Sequence, residues 1–259
     1  MIKAVLNVFN YRIYLILIET FVVIQFYKYF SIKLEIDLTI LSIAIVFPLV
    51  FSITSAYQRR QDAVVHFTSF RNKIIDLTNL IYSVNNIEKK QYVKIFDMLL
   101  SLQSILNFRL QESNVADNAL ADIRRLRKNI FKEIMAYKDK FNEREKDSII
   151  RVKNELFYDI EMLNGIKIHT TPISLRMYCL IFIYLSPLLF NANDFLFTNQ
   201  NQSSDILSMI ISMMISFILM ALYNVQDYIE NPFDQKGLDD LKISDLIVKE
   251  GENLFTKEN

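Results

Sequence analysis

The side chains able to carry covalent or acid–base chemistry are few in this 259-residue chain, and they stand far apart. His66 and His169 are the only two histidines, in different segments and without a neighbouring cysteine. A structural zinc site needs about four nitrogen or sulfur ligands held together, so a His/Cys site is close to excluded. Each histidine reads as a surface or capping residue. The single cysteine, Cys179, can form no disulfide within the chain, and its apolar surroundings make it a small buried hydrophobe. There is no glycine-rich phosphate loop, no Gly-x-Ser-x-Gly elbow and no His-Glu-x-x-His pair, so an enzyme lacks candidate residues. The one gathering of like ligands is acidic: Asp227, Glu230, Asp234, Asp239 and Asp240. Calcium takes several oxygen ligands at once. The spacing is not that of an EF-hand, and Lys236 interrupts it. A solvated tail is therefore expected, with a weak calcium site on Asp234, Asp239 and Asp240 as the alternative and no other cofactor.

A second pattern concerns ions and water rather than bonds. Ile43, Phe47 and Phe51 recur at every fourth position of an apolar run that ends in Arg59 and Arg60. That spacing puts them on one helical face. Such a row can pack against other helices or line a pore, and the residues alone leave both readings open. Glu19 lies inside another apolar run. A carboxylate there is expensive and faces protein or water, so an interhelical hydrogen bond is expected of it.

The elements that must position these residues follow from composition. Apolar residues make up 52% of the chain and charged residues 22%, with a mean hydropathy of +0.20. The two fractions are compatible only if the apolar residues fall in blocks, and they do. With 3 glycines and 4 prolines, a turn-rich β fold is disfavoured, and an all-α fold is expected. The formal net charge of zero gives no argument for nucleic acid. Four runs suit a hydrocarbon core about 30 Å thick: 14–27 with its extensions 5–11 and 28–30, then 38–55, 173–190 and 206–223. Pro48 removes a backbone donor and should kink or break the second of them; Pro187 lies in the third.

Between the second and third runs the chain is charged, with apolar stripes at helical spacing. These are Ala63, Phe67, Phe70, Ile74, Leu77 and Ile81; Phe96, Leu99, Leu102 and Leu106; Ile123, Leu126, Ile130 and Ile134; and Ile149, Val152, Leu156, Phe157 and Ile160. They predict a layer of long amphipathic helices. The basic cluster Arg124-Arg125-Leu126-Arg127-Lys128 reads as a solvated helix face, with acidic lipid headgroups as its alternative partner. Arg59, Arg60, Lys167 and Arg176 flank the central block, whereas 191–205 is a polar loop without Lys or Arg. The positive-inside rule then puts the block and both termini in the cytoplasm. The expected organisation is spans one and two over 1–57, a cytoplasmic helical region over 58–171, spans three and four over 172–226, and a cytoplasmic tail over 227–259.

In this setting three motifs resemble those of the bestrophin family of ion channels. The stretch Phe51-Ser-Ile-Thr-Ser-Ala-Tyr57-Gln-Arg59-Arg-Gln-Asp62 is similar to the bacterial pattern Phe-Arg-x-Asn-x-x-Tyr-x-Arg-Trp-x-Glu. Phe51, Tyr57 and Arg59 match it, and Asp62 stands for the glutamate. Ser52, Thr54 and Arg60 replace Arg, Asn and Trp. Thr171-Pro172-Ile173-Ser174 resembles Thr-Pro-Ile-Pro. Asn231-Pro232-Phe233, with Asp239-Asp240-Leu241 beyond it, resembles Asn-Pro-Phe-Gly-x-Asp…Asp-Leu, with Asp234 in place of the glycine and a stretch of one residue. Their order covers nearly the whole chain. The resemblance implies a homopentamer in membrane lipid around a central pore. It implies a hydrophobic neck at Ile43, Phe47 and Phe51, a cytoplasmic constriction at Ile173, and small inorganic ions as cargo. It points to a channel for chloride or other small anions in a bacterial inner membrane. A cation-selective channel of the same architecture, or a non-conducting scaffold or sensor, is the alternative.

Overall fold

The computed structural model describes residues 9–30, 38–84, 87–112, 116–197, 202–235 and 240–249. Every element among them is helical. In chain order these are α1 (Tyr11–Phe30), α2 (Leu38–Tyr82), α3 (Lys89–Gln111), α4 (Ala116–Ala136), a 3₁₀ turn at Lys138–Lys140, α5 (Glu143–Ile168), α6 (Ile173–Phe197), α7 (Gln202–Ile229) and the short α8 (Ile243–Leu246). The chain divides into two compact units, 1–58 with 170–230 and 59–169 with 231–259.

In the first unit α1 packs on α6 and α7, and α6 packs on α7. Ile13, Ile16, Ile45, Leu49, Cys179, Ile183, Leu219, Met220 and Tyr223 form its core. Cys179 is buried there, as its apolar run predicts. Three stretches among the described residues are long and apolar enough to cross a membrane. These are Tyr11–Phe30, Met209–Ile229 and one within Glu143–Phe190 whose apolar part is α6. Among the described residues a hydrogen bond between α1 and α7 is made by Thr20, the neighbour of Glu19. Thr20 Oγ1 lies 3.0 Å from Ser216 Oγ and donates to the Ile16 carbonyl, joining α1 to α7.

Two prolines sit inside helices without breaking them. α2 is unbroken through Pro48, so the break entertained from sequence does not occur. A proline leaves the carbonyl four residues earlier without its usual N–H. For Pro48 that carbonyl is Ala44, and the Tyr178 hydroxyl donates to it at 3.3 Å. For Pro187 it is Ile183, and the Ser186 hydroxyl donates at 2.7 Å. Side-chain hydroxyls thus supply the missing donors, as an apolar solvent requires. Of the polar loop predicted over 191–205, residues 191–197 and 202–205 are helical, and 198–201 lie outside the described residues. α6 continues to Phe197 and α7 begins at Gln202, because Asn and Asp at the end of an apolar helix do not by themselves terminate it.

The second unit is a layer of packed helices. Its core takes Ala63, Phe67, Phe70, Ile74, Leu77 and Ile81 from α2, Leu99, Leu102 and Leu106 from α3, Ile130 from α4 and Leu156 from α5, all at or near full burial. α3 packs on both α4 and α5. At the start of α5, Asn142 accepts from the Glu145 N–H and Glu145 answers to the Asn142 N–H, a capping box that fixes where the helix begins. Where it is described, at 231–235 and 240–249, the C-terminal segment is not a solvated tail. Phe233, Leu241, Ile243 and Val248 join the same core. Gln103 exchanges two hydrogen bonds with the Val248 backbone, at 3.0 and 2.8 Å. Acidic residues made this segment look solvated, but four spaced hydrophobes outweigh them when buried together. Gln235 closes the turn before it at φ 57, a left-handed conformation that costs a non-glycine residue about 1 kcal/mol.

Candidate functional site: an uncovered apolar row and a buried carboxylate

On α2 the burial alternates by face. Ile45 and Leu49 are each 1% exposed, and Ser52 and Ala56 are buried with them. Ile43, Phe47 and Phe51 are 51%, 57% and 63% exposed, and the Phe47 and Phe51 rings stand 6.1 Å apart. A single chain therefore covers one face of this helix and leaves the aromatic row open. Ile173, the first residue of α6, is 74% exposed. Tyr57 and Asp62 are also exposed, while Arg59 donates to the Ile166 carbonyl at 2.9 Å within the second unit.

Glu230 is the residue that sequence reasoning undervalued. Assigned to an acidic tail, it is instead buried at the end of α7. One carboxylate oxygen accepts from the Thr171 N–H at 2.6 Å. The other accepts from the Thr171 hydroxyl at 2.8 Å and from Gln226 Nε2 at 2.9 Å. Pro172, next in the chain, opens α6 by accepting from Leu175 and Arg176 with its carbonyl. Within the first unit, one carboxylate thus holds Thr171, at the head of the Thr171-Pro172 motif, to the end of α7. The clue in the sequence was that Glu230 abuts one motif and Thr171 begins the other. Asp227, one turn earlier, pairs with Arg12 at 3.1 Å and with Arg176. Those partners belong to the start of α1 and the start of α6, so these two ends meet the end of α7.

This disperses the acidic cluster. Asp227 and Glu230 are engaged with cations and donors of the first unit. Asp234 and Asp240 are half-buried, and Asp239 lies outside the described residues. Among the described residues no group of three or more His, Cys, Asp or Glu side chains is placed to hold a metal. Pro232 and Phe233 are buried, and Asn231 is exposed with its side chain accepting from the Phe233 N–H.

In the second unit His66 is not a free surface histidine. Its Nδ1 lies 2.9 Å from Asp159 Oδ1, and Lys73 Nζ lies 2.8 Å from Oδ2. Asp159 is 2% exposed. Burial pushes its carboxyl up, but hydrogen bonds from Lys73, His66 and Ser69 outweigh that and hold it below the ordinary aspartate range. A depressed carboxylate contributes stability above its unfolded value and loses it as pH falls through its folded value. Acid unfolding should therefore begin at higher pH than in a protein without this cluster's demand for an ionised Asp159. Asp159→Asn should cost about 2 kcal/mol at neutral pH and flatten the acid limb of a denaturation-against-pH series. An unchanged acid limb would remove the cluster from the stability account. His169, by contrast, ends α5 as a capping residue: its N–H donates to the Gly165 carbonyl.

The apolar helices define the class first: a polytopic α-helical membrane protein. Known structures then specify the fold. The chain is similar to a crystal structure of a bacterial bestrophin homologue from Klebsiella pneumoniae, at 16% identity and a TM-score of 0.73 over 91% of this chain and 93% of that one. A point variant of that homologue gives a TM-score of 0.74 at 16% identity, over 94% and 93%. A structure described as a membrane protein gives 0.72 at 17% identity, over 91% and 93%. This is a bestrophin-like protein in fold. No family model matches the sequence. No curated protein matches it either.

Proposed function

We propose that the protein is an ion channel of the bestrophin type: a homopentamer whose four spans per subunit, α2 in the second place, surround a pore for chloride or other small anions. The observation that carries this reading is the open row Ile43, Phe47, Phe51 on a helix whose opposite face is buried, in a chain with the bestrophin fold. A symmetric ring repeats each of these side chains around one axis. Apolar rings gate by dewetting and hold no ion tightly, which passage requires. Phenylalanine edges carry partial positive charge and favour anions modestly. Ile173, exposed at the start of α6, would supply a second apolar ring on the cytoplasmic side.

The meeting of Arg12, Arg176 and Asp227 supports a topology in which the starts of α1 and α6 and the end of α7 share one side. The Lys/Arg-rich flanks make that side cytoplasmic in a bacterial inner membrane. The reading uses no catalytic residue, and calcium is not required for current.

Purified protein in planar bilayers under asymmetric salt tests the proposal. Current reversing toward the anion equilibrium potential, and surviving a calcium chelator, is the expected result. Reversal toward the cation potential would assign the cation-selective alternative. Absence of current from a verified pentamer would assign the scaffold alternative.

A further inference from the structure

In the second unit α4 and α5 line an open cavity of about 530 Å³ with Arg124, Arg127, Lys128, Phe131, Lys153 and Glu161. The α4 residues fall at helical spacing, so one face presents them together. Four cations thus face a single carboxylate. Arg124, Arg127 and Lys128 are exposed, which a solvated helix face would explain. Lys153 does not fit that explanation. It is 7% exposed, and its ammonium lies 4.4 Å from the centre of the Phe131 ring. Among the described residues it has no carboxylate or carbonyl partner. Burial, and then Arg127, holds its pKa below that of an ordinary lysine. Arg127 is itself spread over the Phe157 ring at 5.1 Å, and its ion pair with Glu161 is long at 4.0 Å. A buried ammonium against a ring face alone is costly, and a counter-anion in the cavity would remove the cost.

We propose that this cavity binds a compact polyanion carrying phosphate groups, with Lys153 as the inner contact and Arg124, Arg127 and Lys128 closing over it. The volume far exceeds that of a single halide. The guanidinium forks match phosphate oxygens in pairs, and Phe131 offers an apolar wall to whatever bears the phosphate. A phosphorylated metabolite and a phospholipid headgroup share this chemistry.

The test uses the purified full chain and two probes. In phosphatidylcholine nanodiscs, inorganic pyrophosphate is titrated calorimetrically, with sulfate at matched ionic strength as control. Separately, the melting temperature is compared between phosphatidate-containing and phosphatidylcholine-only nanodiscs. Saturable pyrophosphate binding beyond the sulfate control supports a free ligand. A rise in melting temperature confined to phosphatidate nanodiscs supports a headgroup. In either case Lys153→Met should weaken the effect at least about tenfold, the scale of one lost charge-assisted contact.

Lys153→Met keeps the stem and removes the buried charge, so it should fold. If it does not, Arg124→Gln combined with Lys128→Gln, both at exposed positions, takes its place and should weaken the effect to a similar degree. No response to either probe, or a response unchanged in the folded variants, overturns the proposal. Dissociation of the oligomer in Lys153→Met, without any response of the parent protein, also overturns it and assigns the lysine to a contact between copies.

Discussion

Phe47→Ala and Phe51→Ala are expected to give stable oligomers that carry larger currents, whereas Leu49→Ala, between them on the same helix, is expected to give poorly folded protein. The difference lies in the two faces of α2. Leu49 is 1% exposed within one chain, and deleting a buried leucine leaves a cavity and costs about 2–5 kcal/mol. Phe47 and Phe51 are more than half exposed and touch little of their own chain. If they face the axis, their rings are the driest part of the path, and the barrier is the cost of stripping water from an ion. Alanine widens that ring and lets water stay. Lowering the barrier by about 1 kcal/mol raises passage roughly fivefold.

The ion sign should change little, because no charge is added. If the same phenylalanines were instead buried against neighbouring helices, each truncation would cost about 3–5 kcal/mol per subunit and assembly would fail. Single-channel recording with size-exclusion light scattering separates the two. Stable pentamers whose currents equal the parent's would mean that Ile43, Phe47 and Phe51 are not the neck.

Glu230→Ala should be among the most damaging single changes outside the hydrophobic cores. Its carboxylate satisfies the Thr171 N–H, the Thr171 hydroxyl and Gln226, all in buried surroundings. Truncation leaves these donors without an acceptor, at a cost of about 3 kcal/mol. Glu230→Gln keeps one acceptor oxygen and should cost about half as much. Because the contact fixes the chain where Thr171 leads into α6, the effect should reach the position of Ile173 two residues on. A denaturant series on the three proteins measures the ranking. Equal stability of Glu230→Ala and the parent would show that water replaces the carboxylate and that the link between Thr171 and the end of α7 does not depend on it.

Much of this protein was legible in its sequence because hydrophobic periodicity reports burial directly. The stripe from Ala63 to Ile81 was read from spacing alone, and each of its members is buried. Cys179 was placed in an apolar core, and every described element is helical, as few glycines and prolines allow. Three motifs, each weak, pointed by their order to the fold that the solved structures share.

Tertiary structure decided what spacing cannot express. Asp227 and Glu230 look alike as tail acids, yet one joins Arg12 and Arg176 and the other holds Thr171, because only the packing of α1, α6 and α7 brings their partners near. His66 and Lys73 gained a buried carboxylate from α5, some 90 residues away. Pro48 leaves α2 unbroken because Tyr178, on another helix, answers the carbonyl it strands. Phe233, Leu241, Ile243 and Val248 are core rather than tail, since the energy of burying four separated hydrophobes appears only when a surface exists to receive them. Local pattern fixes which face of a helix is apolar; long-range contacts alone determine which polar groups lose water and what replaces it.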